Sequence, residues 1–281
     1  MSWLQRTDEW INLTTKIGAC LYTLGFDIVY AFSAQRYNTG VKTHAPLTTF
    51  DRTNTLAVLV GNTKHLWHIF ASYVRHNHDT QKHPLDTYTN ICIEHVVSSL
   101  VARYPNSLAY DIRYAYEVAP ERLVSFQQLM TSASFAYYNP NCFLSIHPKY
   151  GPWFGLRAVI TIDMEGPAET NSQPPLMNPF PELDEVLARK WEEICKSGVL
   201  SSLRSSYEQP NMETDVDAEM GNNSNERTVV VDDDDDIIKN SGWYKLVELR
   251  DLASNIQPHP YRYSMNQICY HYTKDPKYLC E

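Results

Sequence analysis

Residues 146–162 read Ile146-His147-Pro148-Lys149-Tyr150-Gly151-Pro152-Trp153-Phe154-Gly155-Leu156-Arg157-Ala158-Val159-Ile160-Thr161-Ile162. Two apolar, strand-like segments flank a turn built on Pro148, Gly151 and Pro152, which predicts a β-hairpin. After the turn, the period-two alternation of a strand sets Trp153, Gly155, Arg157, Val159 and Thr161 on one face. Phe154, Leu156, Ala158, Ile160 and Ile162 fall on the other. An arginine inside an apolar strand calls for an anion. Either an organic ligand bearing a carboxylate or phosphate meets the guanidinium bidentately, or an acid such as Glu117 pairs with it. His147, at the strand-to-turn junction, is a candidate general base or a residue that holds the turn by hydrogen bonding.

Upstream, residues 108–118 alternate without a break: Leu108, Tyr110, Ile112, Tyr114, Tyr116 and Val118 against Ala109, Asp111, Arg113, Ala115 and Glu117. This is a predicted strand. Pro120 suits the first turn of a helix expected to run to about Tyr138, with Leu123, Phe126, Leu129 and Met130 on its core face. Its second half is built of small residues, Thr131, Ser132, Ala133, Ser134 and Ala136. Small side chains permit close packing of helix on sheet, or the approach of a bulky planar ligand. Asn139-Pro140-Asn141 ends the helix.

Nearer the N-terminus, Trp10, Leu13, Ile17, Leu21 and Leu24 repeat at helical spacing before a capping Gly25. A strand at residues 26–32, a long loop at 36–52 and a buried strand at 56–60 follow. Asn62 or Thr63 caps a helix from Lys64 to Val74, and Asp86 opens another carrying Ile93, Val96, Val97, Leu100 and Val101. His65 and His68 stand three apart on a helix, but no HExxH occurs and no third metal ligand is fixed by spacing. Downstream, a proline-rich loop at 163–181 precedes a helical stripe of Leu183, Val186, Leu187, Trp191 and Ile194. Apolar character returns at Trp243 and continues into a tyrosine-rich end.

The formal charge of -9 is local: residues 208–236 hold 11 acids and one base, which leaves the other 252 residues near neutrality. That segment reads as disordered, or as a docking tail for a basic partner. Neither a nucleic-acid footprint nor a polybasic membrane patch is visible. Six scattered cysteines without a CxxC pair read as free thiols of a reducing compartment. The N-terminus lacks a signal-peptide apolar region and no run approaches ~18 apolar residues, so a soluble cytoplasmic protein is expected. No GxxxxGK[ST], GxGxxG or GxSxG occurs, which disfavours P-loop enzymes, Rossmann dehydrogenases and α/β-hydrolases.

Tyr116-Glu117-Val118, Ala136-Tyr137-Tyr138, Ile146 to Gly151, Trp153-Phe154 and Leu156-Arg157 together resemble the CblC-type cobalamin-processing family. Gly25-Phe26 with Tyr37-Asn38, Trp243 with Leu249-Arg250-Asp251, and Arg262-Tyr263-Ser264 extend the likeness. It implies an α+β, flavin nitroreductase-like fold, an antiparallel-rich central sheet flanked by helices. The domain would span residues 1–281, with a disordered acidic insertion at about 204–237. It also implies a cytoplasmic enzyme and chaperone that binds cobalamin base-off and removes its upper axial ligand. Alkylcobalamins would be dealkylated with glutathione, and cyanocobalamin decyanated reductively with FMN or FAD. A non-catalytic cobalamin carrier and a flavin oxidoreductase on the same fold are the alternatives.

The resemblance carries cobalamin contacts onto Ala115, Val124, Ser125, Phe126, Gln127, Tyr138, Asn139, Ser145 and Leu156. Glutathione carboxylates would meet Arg157, Arg250 and Lys277. No side chain is expected to be catalytic, because cobalamin and the thiolate carry the chemistry. With no DxHxxG, no histidine is expected on cobalt. A downstream cobalamin-trafficking protein is the further partner implied.

Overall fold

The computed structural model describes residues 9–77, 83–168, 174, 176–208, 238–254 and 256–279. Helix α1 (Glu9–Thr23) buries Leu13, Ile17 and Leu21, one residue per turn. It ends before Gly25, whose φ of +93 and close approach to Leu66 leave no room for a Cβ. Strand β1 (Ile28–Ser33) and helix α2 (Ala34–Gly40) lead to β2 (Thr55–Asn62), in which every residue is buried. Helices α3 (Leu66–Asn77) and α4 (Pro84–Val101), strand β3 (Tyr110–Tyr114) and helix α5 (Phe126–Ser132) follow. The hairpin strands β4 (Tyr137–Tyr138) and β5 (Ser145–Ile146) precede the long β6 (Gly155–Glu165). Helices α6 (Asp184–Lys196), α7 (Val199–Glu208), α8 (Tyr244–Leu252) and α9 (Met265–Thr273) follow among the described residues.

The central sheet is antiparallel throughout, in the order β1-β2-β6-β3. Because β2 and β6 lie inside it, both are buried on two faces and read as apolar runs. On one face Val58, Val60, Ala158, Ile160 and Ile162 pack beneath α1, α3 and α4. On the other, Ala57, Leu59 and Val159 pack against Ala34 and Tyr37 of α2 and Leu129 and Met130 of α5. A third cluster joins Ile146 to α6 and α8, and a fourth sets Trp153 against Val247, Tyr263 and Ile268.

The strict alternation expected along β6 breaks at Arg157. Val60 pairs with Ala158 and the next residue, Gly61, pairs with Leu156, so Arg157 is the extra residue of a β-bulge. As a result Arg157 faces Leu66, Trp67 and Phe70, whereas Val159 belongs to the opposite face. It therefore does not share a face with Val159, contrary to the period-two expectation.

Three further expectations are corrected. The loop expected at 36–52 begins inside α2, because Ala34 and Tyr37 are buried and the Tyr37 hydroxyl accepts the Ser125 N–H at 3.1 Å. The strand expected over 108–118 stops at Tyr114, where the Glu117 carboxylate takes the Tyr114 N–H at 2.7 Å and turns the chain. The helix expected over 120–138 shrinks to α5. The Ser125 hydroxyl caps it by accepting from the Gln128 N–H, Ser134 adopts a φ of +55, and Tyr137–Tyr138 pairs with Ser145–Ile146 instead. Of the acidic insertion expected at about 204–237, residues 204–208 lie in α7 and 209–237 fall outside the described residues.

Candidate functional site

Seven of the positions singled out in the sequence, Ala115, Val124, Ser125, Phe126, Gln127, Ser145 and Leu156, line one cavity of about 450 Å³. They come from four places: the turn after β3, the start of α5, β5 and the first turns of β6. Local bonds fix each. Ala115 donates its N–H to the Arg157 carbonyl at 2.9 Å, which ties the turn to β6. The start of α5 is held by Tyr37 and by Gln128 Nε2, which donates to the Gly40 carbonyl at 2.6 Å. The bulge places Leu156 in this cavity and Arg157 outside it. Arg250 of α8 contributes the guanidinium of the lining. Phe143, at a φ of +61 and 52% exposed, stands in the wall over Trp191, an aromatic that spacing alone gave no reason to select.

Tyr138 and Asn139 do not line this cavity. Tyr138 is held by its ladder to Ser145, with its ring against Phe143. Asn139 is fully buried, where its amide donates to Asp184 Oδ1 at 2.8 Å and its oxygen accepts from the Asn141 N–H.

Arg157 lines a narrow cavity of about 30 Å³ with Trp67, Tyr263, Gln267, His271 and Lys274. Its Nε donates to Asn62 Oδ1 at 2.7 Å, and no carboxylate pairs with it among the described residues. The Glu117 alternative is excluded, since Glu117 takes Arg122 at 2.5 Å and Arg113 and Arg122 both reach Asp111. Desolvation lowers the Arg157 pKa, yet a guanidinium keeps its charge in such a site. Tyr263 lines the cavity with Arg157 and feels the charge of both arginines. Burial pushes its phenol up, and the positive charges of Arg250 and Arg157 act in the opposite direction. His271 is pushed well below the usual imidazole range by the surrounding protein, then by Arg250, Lys274 and Arg157, so it is neutral here. Lys277 is not brought to either cavity: it is exposed and pairs with Asp275 at 3.3 Å. Lys274, three residues earlier, is the lysine that faces Arg157, and the difference is one turn of register at the end of α9.

His147 closes the turn. Its Nδ1 accepts the N–H groups of Lys149 at 2.9 Å and Tyr150 at 3.3 Å, and its backbone pairs with Gly151. The ring stacks on Tyr150 at 4.4 Å. Burial, with Lys149 adding repulsion, lowers its pKa to about 4. Trp153, fully buried, lies under the guanidinium groups of Arg250 at 5.7 Å and Arg262 at 5.4 Å. Among the described residues, no three His, Cys, Asp or Glu side chains cluster to hold a metal, and no helix is long and apolar enough to cross a membrane. Cys20, Cys92, Cys142, Cys195 and Cys269 are free thiols.

The model of the methylmalonic aciduria and homocystinuria type C family (MMACHC) matches residues 25–182. A crystal structure of a C. elegans B12-trafficking protein CblC, described as a human MMACHC homologue, shares the fold with a TM-score of 0.63. It is 15% identical, with 98% of this chain and 96% of that chain covered. No curated protein sequence matches the chain.

Proposed function

Because the chain belongs to the methylmalonic aciduria and homocystinuria type C family, we propose that it is a cobalamin-processing protein of the cytoplasm. It binds cobalamin base-off and removes the upper axial ligand, by glutathione-dependent dealkylation of alkylcobalamins and reductive decyanation of cyanocobalamin. FMN or FAD serves as the reductant of the second reaction, and the product passes to a downstream cobalamin-trafficking protein. We read residues 1–281 as one domain and the antiparallel sheet as a flavin nitroreductase-like variant.

The observation that supports this most strongly is the convergence of Ala115, Val124, Ser125, Phe126, Gln127, Ser145 and Leu156, from separate elements, on one cavity that also holds Arg250. Small side chains at 115, 125 and 145 leave space for a flat macrocycle, and Val124, Phe126, Phe154 and Leu156 offer an apolar wall that keeps water out. Cobalamin supplies the reactive cobalt–carbon or cobalt–cyanide bond. The protein's part is to hold the thiol. Arg157 and Arg250, which no carboxylate pairs among the described residues, are the groups suited to the two carboxylates of glutathione. In dealkylation the glutathione sulfur bonds to the alkyl carbon as the cobalt–carbon bond breaks, and the electron pair stays on cobalt. The narrowness of the Arg157 cavity means that Lys274 or Tyr263 must shift to admit a carboxylate.

The test is a cobalamin titration followed by absorbance, then methylcobalamin with glutathione. A base-off spectrum on binding and loss of the methylcobalamin bands are expected, with Arg157→Ala and Arg250→Ala each slowing conversion at least about tenfold. Binding without conversion would leave a carrier. No spectral change on mixing would overturn the reading.

A further inference from the structure

A third cavity, larger than the other two at about 670 Å³, shares no lining residue with the 450 Å³ cavity and shares Trp67 and Gln267 with the narrow Arg157 cavity. It opens between the approach to α3, the Lys149–Tyr150 turn and the start of α9. Its charges do not cancel. Asp27 is held in place by Thr63, with Oδ1 accepting the N–H at 2.7 Å and Oδ2 the hydroxyl at 2.5 Å, and keeps its negative charge, which offsets one lysine of the lining. Arg262 is spent on Asp251, in two bonds of 2.8 and 3.0 Å. Lys64 and Lys149, both exposed in the lining and neither within an ion-pair distance of a carboxylate among the described residues, leave the lining with an excess of positive charge, and Lys149 also hydrogen-bonds the Tyr261 hydroxyl.

The walls are aromatic. Tyr22 and His65 stack at 4.5 Å, with the His65 ring locked by its Nε2–H to the Tyr22 carbonyl at 3.1 Å. Tyr150 and Tyr261 meet edge to face at 4.9 Å under the Lys149 ammonium. A further observation points independently to a ligand. Gln267 lines the cavity, is 8% exposed, and its buried Oε1 has no hydrogen-bond partner. Its backbone N–H is held by Ser264 Oγ at 3.2 Å, which caps α9. A buried acceptor left open on a residue at the partition between this cavity and the Arg157 cavity is a place for a donor to arrive.

We propose that this cavity binds a phosphorylated aromatic heterocycle of nucleoside monophosphate size. The phosphate lies between Lys64 and Lys149, the ring lies along the Tyr and His walls, and a ring N–H or amino group donates to Gln267 Oε1. The volume falls within the usual range of small-molecule sites. No residue assigned to cobalamin takes part, although Trp67 and Gln267 also border the narrow Arg157 cavity.

Isothermal titration calorimetry of the full chain with AMP tests the proposal. Saturable binding is expected, with adenosine and inorganic phosphate each at least about tenfold weaker, since each keeps only one half of the recognition. The Lys64→Ala/Lys149→Ala double variant and Lys149→Glu should each weaken AMP by about tenfold or more and reduce the salt dependence of binding. Both lysines are exposed, so these variants keep the fold, which circular dichroism checks. Arg250→Ala, in the other cavity, should bind AMP as the parent does. Absence of saturable binding, equal affinity for adenosine, or unchanged affinity in the lysine variants would overturn the proposal.

Discussion

Asn62 decides how free Arg157 is. It is fully buried at the end of β2, its amide donates to the Thr63 carbonyl, and its oxygen holds Arg157 Nε at 2.7 Å. A neutral acceptor orients the guanidinium without neutralising it. Asn62→Asp, nearly the same shape, would hand Arg157 a permanent carboxylate and so compete with one brought by a thiol co-substrate. The expected result is a KM for glutathione raised at least about tenfold with little change in kcat, measured on methylcobalamin conversion. His147 gives a second test. Its folded pKa of about 4 lies below the ordinary 6.5, so the unfolded chain binds the proton first. The stabilisation is complete above pH 6.5 and is lost as pH falls from there toward 4, up to about 3 kcal/mol. His147→Asn keeps an acceptor near Nδ1 and removes the titration, so urea midpoints between pH 7 and 4.5 should fall less steeply than in the parent. The sequence made both residues conspicuous, an arginine in an apolar strand and a histidine before a proline. It marked Asn62 only as a candidate helix cap and Tyr263 only as part of the family likeness, because their roles beside Arg157 come from a neighbour 95 residues away in one case and from three-dimensional packing in the other.

Elements with continuous periodicity were legible: α1 and α4 from their apolar stripes, and β2 and β6 from their buried runs. Elements whose ends depend on single side chains were not. The capping hydroxyl of Ser125, the Glu117 carboxylate that stops β3 and the burial of Tyr37 all override local propensity. The bulge in β6 is of the same kind, and it has a requirement on the facing strand. A Cβ on Gly61 would lie 2.6 Å from the Gly155 carbonyl oxygen, so the two backbones can pass only with glycine there. Gly61→Ala should therefore destabilise the protein by about 1–3 kcal/mol, read as a lower denaturation midpoint at unchanged m-value. It should also disturb cobalamin and thiol binding together, since the residues on either side of the bulge serve different cavities.

The family match ends at residue 182, yet the molecule is closed by residues well beyond it. Val247 of α8, Tyr263, and Ile268 of α9 cover Trp153, while Tyr270 and Leu279 enter the core above the sheet. Trp153 is thus the seam between the hairpin and the C-terminal segment. Its replacement by Ala should cost about 3–5 kcal/mol and expose residues 244–279 to protease well before the sheet unfolds, as limited proteolysis with mass spectrometry would show. That segment was hard to read because its apolar residues answer to partners on the hairpin and not to a period of their own.

One strand supplies Leu156 to the broad cavity and its immediate neighbour, Arg157, to the narrow one. Successive Cα atoms stand about 3.8 Å apart, so the two compartments are separated by a single peptide and their contents are assigned by parity. Removing one residue between Pro152 and Arg157 would exchange which compartment receives charge and which receives the apolar wall, whereas removing two would leave the assignment intact and merely shorten the approach. At that point an odd-numbered insertion or deletion is expected to move charge and apolar wall between the compartments, whereas an even-numbered one is not.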